Sequence, residues 1–197
     1  MRRRPIGYIG HMTDAPVHPA RTVSPGFVIR EATAGDVAAI TAIYEEAVRN
    51  GTASFEIEPP TADEMAGRFA RLAEAGFPYL VADTGSGIAG YAYAGPYRPR
   101  PAYRWSVENS VYVAPSAQGM GVGRALLAAL IAESARRGFR QMIAVIGDSA
   151  NAASIGLHSA LGFRMVGTFE SVGNKHGRWL DTVLMQLPLG EGADSAP

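Results

Sequence analysis

The residues Gln118-Gly119-Met120-Gly121-Val122-Gly123-Arg124 stand between an alternating apolar run, Val107 to Val113, and an amphipathic pattern that continues through Arg137. This reads as a strand, a glycine-rich loop and a helix whose first turn is open. The first four N–H groups of a helix have no partner inside it, and the macrodipole places about half a positive charge there, so that end attracts anions. Gly121 and Gly123 lack the Cβ atoms that would hold a diphosphate away from the backbone. Gly-x-Gly-x-x-Gly and Gly-Lys-Ser/Thr are both absent here, so the expected ligand is phosphate-like but neither NAD nor ATP. A plain turn and helix start is the alternative. Three glycines before a clear helix, with no tight turn to make, argue against it. Arg124 either pairs with phosphate or faces solvent.

A second group with chemical potential lies upstream. The stretch Pro96 to Trp105 carries Arg98, Arg100 and Arg104 among Tyr97, Tyr103, Trp105 and three prolines. Arginine forks bind carboxylate, phosphinate or sulfone oxygens in a bidentate manner, and the rings can wall a pocket. The alternative is a proline-stiffened loop with its charges in water. Its position directly before Glu108 favours a substrate site formed by Arg98, Arg100 and Tyr103. Phe55 and Glu56 are further candidates for that pocket, or else a core ring and a surface charge. Glu108, flanked by Val107, Val111 and Val113, is either a carboxylate that desolvation raises toward neutrality or a solvated edge charge or helix-capping ion pair.

The elements that position these groups follow from period and punctuation. Phe27 to Glu31 alternates as a short strand. Thr33 and Asp36 cap a helix carrying Val37, Ile40, Tyr44 and Val48, closed by Asn50-Gly51. Thr61 with Glu64 caps a second helix that runs to Gly76. Phe77 to Asp83 and Ile88 to Gly95 flank Thr84-Gly85-Ser86-Gly87 as a hairpin. After the glycine loop and its helix come a buried strand (Phe139 to Gly147), a short helix (Asn151 to Leu161), and strands at Phe163 to Phe169 and Trp179 to Leu187. The expected order is β-α-α-β-β-β-α-β-α-β-β: an α/β domain over 27–189, with about seven strands in a mixed, mostly antiparallel sheet and about four helices. Residues 1–26, with Pro5, Pro16, Pro19 and Pro25, read as a disordered extension, and 190–197 as a flexible tail.

Eighteen basic residues balance eighteen acidic ones, which gives no sign of a nucleic-acid surface or of a membrane-directed field. The absence of cysteine excludes disulfides, thiolate catalysis and cysteine metal sites, and fits a cytoplasmic protein. With no His-Glu-x-x-His or similar cluster, no metal is expected.

Gln118-x-x-Gly121-x-Gly123 after an alternating strand, followed by Asn151, Ala153, Leu157-His158 and Leu161-Gly162-Phe163, resembles the GCN5-related N-acetyltransferase (GNAT) family over about residues 27–188. Thr52-Ala53-Ser54-Phe55-Glu56, Val107-Glu108-Asn109-Ser110-Val111-Tyr112-Val113, Ala144-Val145-Ile146-Gly147 and Lys175-His176-Gly177-Arg178-Trp179 resemble its phosphinothricin and methionine sulfone or sulfoximine acetyltransferase branch. The resemblance implies acetyl-CoA as co-substrate and direct acyl transfer to the α-amino group of a small amino-acid analogue. Its diphosphate would lie on Gln118, Gly119, Met120, Gly121, Val122, Gly123 and Arg124. Its pantetheine arm would lie along Val111, Tyr112 and Val113, with a strand bulge freeing N–H groups, and against Asn151 and Ser154. Asn151 is equally suited to cap its helix. Glu108 would be the base. His158, where many members place a tyrosine, is a second catalytic candidate, as proton donor to the thiolate or as a buried structural residue. An acetyltransferase for protein N-termini or polyamines and a non-catalytic coenzyme A sensor remain as alternatives. The resemblance also implies a homodimer, with Lys175 to Trp179 as hairpin turn or subunit contact.

Overall fold

The computed structural model describes residues 22–24 and 26–196. Eight strands form one sheet in the order β1-β2-β3-β4-β5-β6-β8-β7. The elements are β1 (Thr22–Ser24), β2 (Phe27–Glu31), α1 (Val37–Asn50), α2 (Ala62–Glu74), β3 (Tyr79–Asp83), β4 (Ile88–Pro96), β5 (Ser106–Val113), α3 (Val122–Arg136), β6 (Gln141–Gly147), α4 (Ala152–Ala160), β7 (Arg164–Lys175) and β8 (Arg178–Pro188). The expected order stands, with one addition. Thr22–Ser24 pairs with β2 as a short antiparallel edge strand, inside the stretch read from the sequence as disordered. Gly26 makes the turn into β2, and the remainder of that stretch lies outside the described residues.

Every neighbouring pair is antiparallel except β5 and β6. That parallel ladder runs only from Ser106↔Gln141 to Asn109↔Ala144. Beyond it, the last four residues of β5 and the last three of β6 diverge, and a wedge opens in the middle of the sheet. The bulge expected in β5 is absent: its register with β4 is unbroken from Pro96↔Val107 to Gly90↔Val113. The wedge therefore comes from the strands parting, not from an inserted residue.

Helices cover both faces. α1 and α2 pack Ile40, Tyr44, Val48 and Met65 on Tyr79, Val81 and Tyr91. α3 packs Leu126, Leu127 and Leu130 on the other face with Val107, Ala144 and Met185. Strand alternation assigns the side chains of β5 to these two faces. Val107, Asn109, Val111 and Val113 point toward α3 and α4, while Glu108, Ser110 and Tyr112 point toward α1 and α2. The valines expected to desolvate Glu108 are thus on the opposite face from it.

Local capping is as the sequence suggests, with one change. Asp36 accepts from the Thr33 N–H at 2.8 Å and is gripped by both terminal nitrogens of Arg30 at 2.8 and 2.7 Å. Thr61 Oγ accepts from the Glu64 N–H at 3.2 Å, but Glu64 binds Arg68 instead of completing a box. β7 and β8 extend farther toward their turn than periodicity predicts, because a register shift between Phe169 and Gly173 breaks the alternation there.

Candidate active site

The wedge is the mouth of a cavity of about 580 Å³. Its walls are Asn109 to Val113 on one side and Ala144 to Gly147 on the other, with Ala53 above, the glycine loop at one end and Asn151, Ser154, Leu157 and His158 behind.

The glycine loop arrives on a short turn, Pro115–Ala117, and enters α3 through Gly119 (φ 73°) and Gly121 (φ 81°). Both conformations favour glycine. A Cβ on either would meet nothing within 4 Å, so backbone conformation, not crowding, requires these residues. Gly123 differs, since a Cβ there would touch Val113 and Leu157 at 3.5 and 3.6 Å and narrow the cavity wall. The Ala125 N–H bonded to the Gly121 carbonyl at 3.0 Å is the first helical hydrogen bond. The N–H groups of Gly121, Val122, Gly123 and Arg124 precede it and form the open helix end. Gln118, Gly119, Gly121, Val122 and Gly123 line the cavity, whereas the side chains of Met120 and Arg124 do not. Met120 is exposed and borders a smaller depression with Phe27 and Ile88.

Opposite the loop, Asn151 caps α4: its Oδ1 accepts from the Ser154 N–H at 3.1 Å. Asn151 and Ser154 both face the cavity as well, so capping and lining coincide. His158 is 4 % exposed, with Nδ1 2.8 Å from the Ser154 carbonyl oxygen and Nε2 3.0 Å from Asn109 Oδ1. Asn109, 6 % exposed, donates through Nδ2 to the Ile143 carbonyl at 3.2 Å and so bridges β5 and β6 at the last rung before the wedge. Burial lowers the His158 pKa, and the Ser154 carbonyl raises it in part.

On the other sheet face, Glu108 stands opposite Gly95 of β4. Burial raises its pKa above the ordinary 4.5, and the nearby Arg98 guanidinium pulls it back down. Arg98 lies over the Tyr97 ring at 4.3 Å, and Tyr103 meets Tyr97 edge-on at 5.8 Å. Arg100 and Tyr103 are exposed at the rim of this loop. Glu56 is held by Arg68 at 2.6 Å. Burial also raises the Tyr93 phenol, which feels the Glu108 and Glu56 carboxylates and Arg68. Phe55 lies across Gly147 and Gly173, where a Cβ on either glycine would collide with its ring.

Sequence reasoning missed Asn109, Arg68 and Tyr93. Asn109 is the polar interruption of the odd-numbered valine face of β5, a signal that strict alternation would have exposed. Arg68 and Tyr93 join the site only through packing of α2 on β4.

A carboxylate raised by burial on one sheet face, a wedge between parting strands, and an open helix end on the other face together suit transfer of an acyl group from a diphosphate-bearing donor to an amine. An acetyltransferase (GNAT) domain matches residues 29–184. The chain belongs to the GNAT acetyltransferase family. Among relatives of this GNAT chain, phosphinothricin N-acetyltransferase of Alcaligenes faecalis is 56 % identical over 82 % of each chain. L-methionine sulfoximine/L-methionine sulfone acetyltransferase of Pseudomonas aeruginosa is 44 % identical over 86 % of this chain and 98 % of its own. A GNAT phosphinothricin acetyltransferase from Sinorhizobium meliloti, solved in complex with AcCoA, superposes with a TM-score of 0.84 at 50 % identity, covering 87 % and 93 % of the two chains. Among the described residues no helix is long and apolar enough to cross a membrane. No group of three or more potential metal ligands stands together among them.

Proposed function

We propose that this acetyltransferase moves the acetyl group of acetyl-CoA to the α-amino group of a small anionic amino-acid analogue, of the phosphinothricin, methionine sulfoximine or methionine sulfone type. The observation that carries the reading is the end of the β5–β6 ladder at Asn109↔Ala144, with a cavity of about 580 Å³ between the glycine loop and α4. In this reading the open N–H groups of Gly121 to Arg124 receive the diphosphate, and the unpaired edge of Val111 to Val113 receives the amide-bearing arm. Asn151 and Ser154 bound it from behind. The amine approaches from the α1/α2 face, where Glu108 takes its proton. An α-amino group has a reference pKa of about 8, so a carboxylate with a raised pKa is an adequate base. Arg98 and Arg100 hold the acceptor's anion, with Tyr103, Phe55 and the Glu56–Arg68 pair around it. His158 serves by fixing Asn109 across the two strands, because burial works against a charged ring there.

The exposed apolar residues Met165, Val166, Phe169 and Val172 lie on β7, the edge strand, with Trp179 on β8 next to it. An apolar edge of this kind invites pairing. A second copy of the chain is the proposed occupant, and Trp179→Glu is expected to shift the dimer to monomer in sedimentation.

The reading is tested by thiol release from acetyl-CoA with phosphinothricin, methionine sulfone, methionine sulfoximine, spermidine and an N-terminal alanyl peptide. Saturable release with the anionic analogues, and little with spermidine, is expected. Release with spermidine or the peptide alone would replace the substrate class, and release with none would leave a coenzyme A-binding protein.

A further inference from the structure

Lys175 presents an unusual burial. Its side chain belongs to a residue only 3 % exposed, and Nζ donates to the Ser54 carbonyl at 2.8 Å, 121 residues away in sequence. No carboxylate lies within ion-pair distance among the described residues; Glu56, the acid that influences it, is already bound to Arg68 at 2.6 Å. A buried ammonium without an ion pair is a poor source of stability, since desolvation of the charge is not repaid by a counter-charge. Some other demand places it there.

The register explains what Lys175 does. His176 (φ 51°) and Gly177 (φ 71°) form a two-residue turn with both φ values positive, and Lys175 pairs directly with Arg178 across it. Directly opposed residues project on the same face. Arg178 reaches Asp148 Oδ2 at 2.9 Å, and the same oxygen accepts from Thr52 Oγ at 2.9 Å. Lys175 therefore holds Ser54, and Arg178 holds Thr52 through Asp148. Between these two points the segment Thr52 to Phe55 has no regular secondary structure of its own. It lies flat on Gly147 and Gly173: a Cβ on Gly147 would come within 2.7 Å of the Thr52 carbonyl oxygen, and one on Gly173 would overlap the Phe55 ring. Tyr44 adds a third hold at 2.9 Å from Ser54 Oγ. Ala53 in the middle lines the wedge cavity.

We propose that the tip of the β7–β8 hairpin is a clamp that sets the wall of the acceptor site, with Lys175 and Arg178 as its positioning residues. This rests on the reading above, in which Phe55 and Glu56 stand around the acceptor; Thr52 to Ser54 lead directly into them, with Ala53 on the donor's wedge. It gives the Lys175 to Trp179 motif a role in substrate placement in addition to making a turn. It also joins the edge strand β7 and its neighbour β8 to the reaction centre through two side chains. Misplacing a reactive group by about 1 Å costs on the order of 100-fold in rate, so a small slackening of this wall is kinetically visible.

The test compares wild type with Lys175→Met and Arg178→Ala in three measurements: KM for methionine sulfone and for acetyl-CoA with kcat, the thermal midpoint, and amide hydrogen exchange across residues 52–56. The clamp predicts that Lys175→Met raises the acceptor KM by about ten-fold or more and leaves the acetyl-CoA KM within about two-fold. Exchange at 52–56 should quicken, and the thermal midpoint should hold or rise because a buried charge is gone. Arg178→Ala, at an exposed position, should move the same quantities less. A fall in thermal midpoint with both KM values raised together would mark a merely structural role and overturn the proposal. Unchanged exchange at 52–56 in both variants would overturn it as well, whether or not any acceptor is turned over. Turnover lacking in wild type would instead count against the acceptor assignment alone.

Discussion

Asn109 and His158 meet at 3.0 Å beneath the wedge, one on the last paired rung of β5 and the other on α4. The contacts make a chain with a carbonyl at each end: Ile143 oxygen, the Asn109 amide, the His158 ring, Ser154 oxygen. A chain capped by two acceptors needs one member that donates in both directions, and only the doubly protonated ring can. Burial opposes that charge. With one ring proton, on Nε2, the ring still donates to Asn109 Oδ1, and Nδ1, now an acceptor, faces the Ser154 hydroxyl at 3.5 Å instead of the carbonyl. His158 is therefore held between a charged state that donates to both oxygens and a neutral one that keeps the Asn109 contact and gives up the Ser154 carbonyl.

The first prediction follows from this opposition. Burial is the larger influence, so the His158 ring should titrate below its ordinary 6.5 by NMR. Asn109→Leu removes an acceptor of the charged form and should lower it further, whereas Asn109→Asp should raise it. A depressed histidine stabilises the fold above the unfolded pKa, and that contribution fades as pH falls through the folded value. Titration of wild type at or above 6.5 would show that the acceptors outweigh burial.

Glu108 and Arg98 supply the second. Because burial raises the carboxyl and Arg98 lowers it, Arg98→Ala should move the acid limb of kcat to higher pH, besides weakening the acceptor. Glu108→Gln should abolish that limb and reduce kcat by about 10²–10⁴-fold. A pH–rate profile of Arg98→Ala with its limb unmoved would separate the two residues.

Gly121 is the third. Alanine at a φ of 81° costs about 1–2 kcal/mol and disturbs the open helix end. The expected outcome is a raised KM for acetyl-CoA with the acceptor KM little changed. Gly123→Ala fits the backbone, and should act by narrowing the wall near Val113 and Leu157 instead.

The fourth concerns stability. The Arg30 guanidinium beside Asp36 lowers its carboxyl from 3.8 to about 2. A depressed carboxylate contributes stability above its unfolded pKa and loses it as pH falls through the folded one, here between about 4 and 2. Asp36→Asn should cost about 2 kcal/mol at neutral pH by chemical denaturation, and the difference should vanish over that window.

Much of this was legible in the residues. The helices α1 to α4, the strand before the glycine loop and the loop itself follow from period and punctuation, as does the capping by Asn151. The parting of β5 and β6 did not: it depends on where a parallel ladder ends, and both strands are apolar to their tips. The face of Glu108 was misread because its valine neighbours in sequence are its neighbours on the opposite side of the pleat. Lys175 could be seen in its motif but not its burial, since its partner Ser54 lies 121 residues away.

The central claim is that an amine entering at Glu108 attacks an acetyl thioester held in the wedge. Steady-state thiol release with acetyl-CoA and L-methionine sulfone, wild type against Glu108→Gln across pH 6 to 9 and with acetyl-CoA binding measured in parallel, tests it most directly. Saturable turnover in wild type and its collapse in Glu108→Gln, with acetyl-CoA still bound, is the predicted result. Full rate in Glu108→Gln throughout that range would contradict the account.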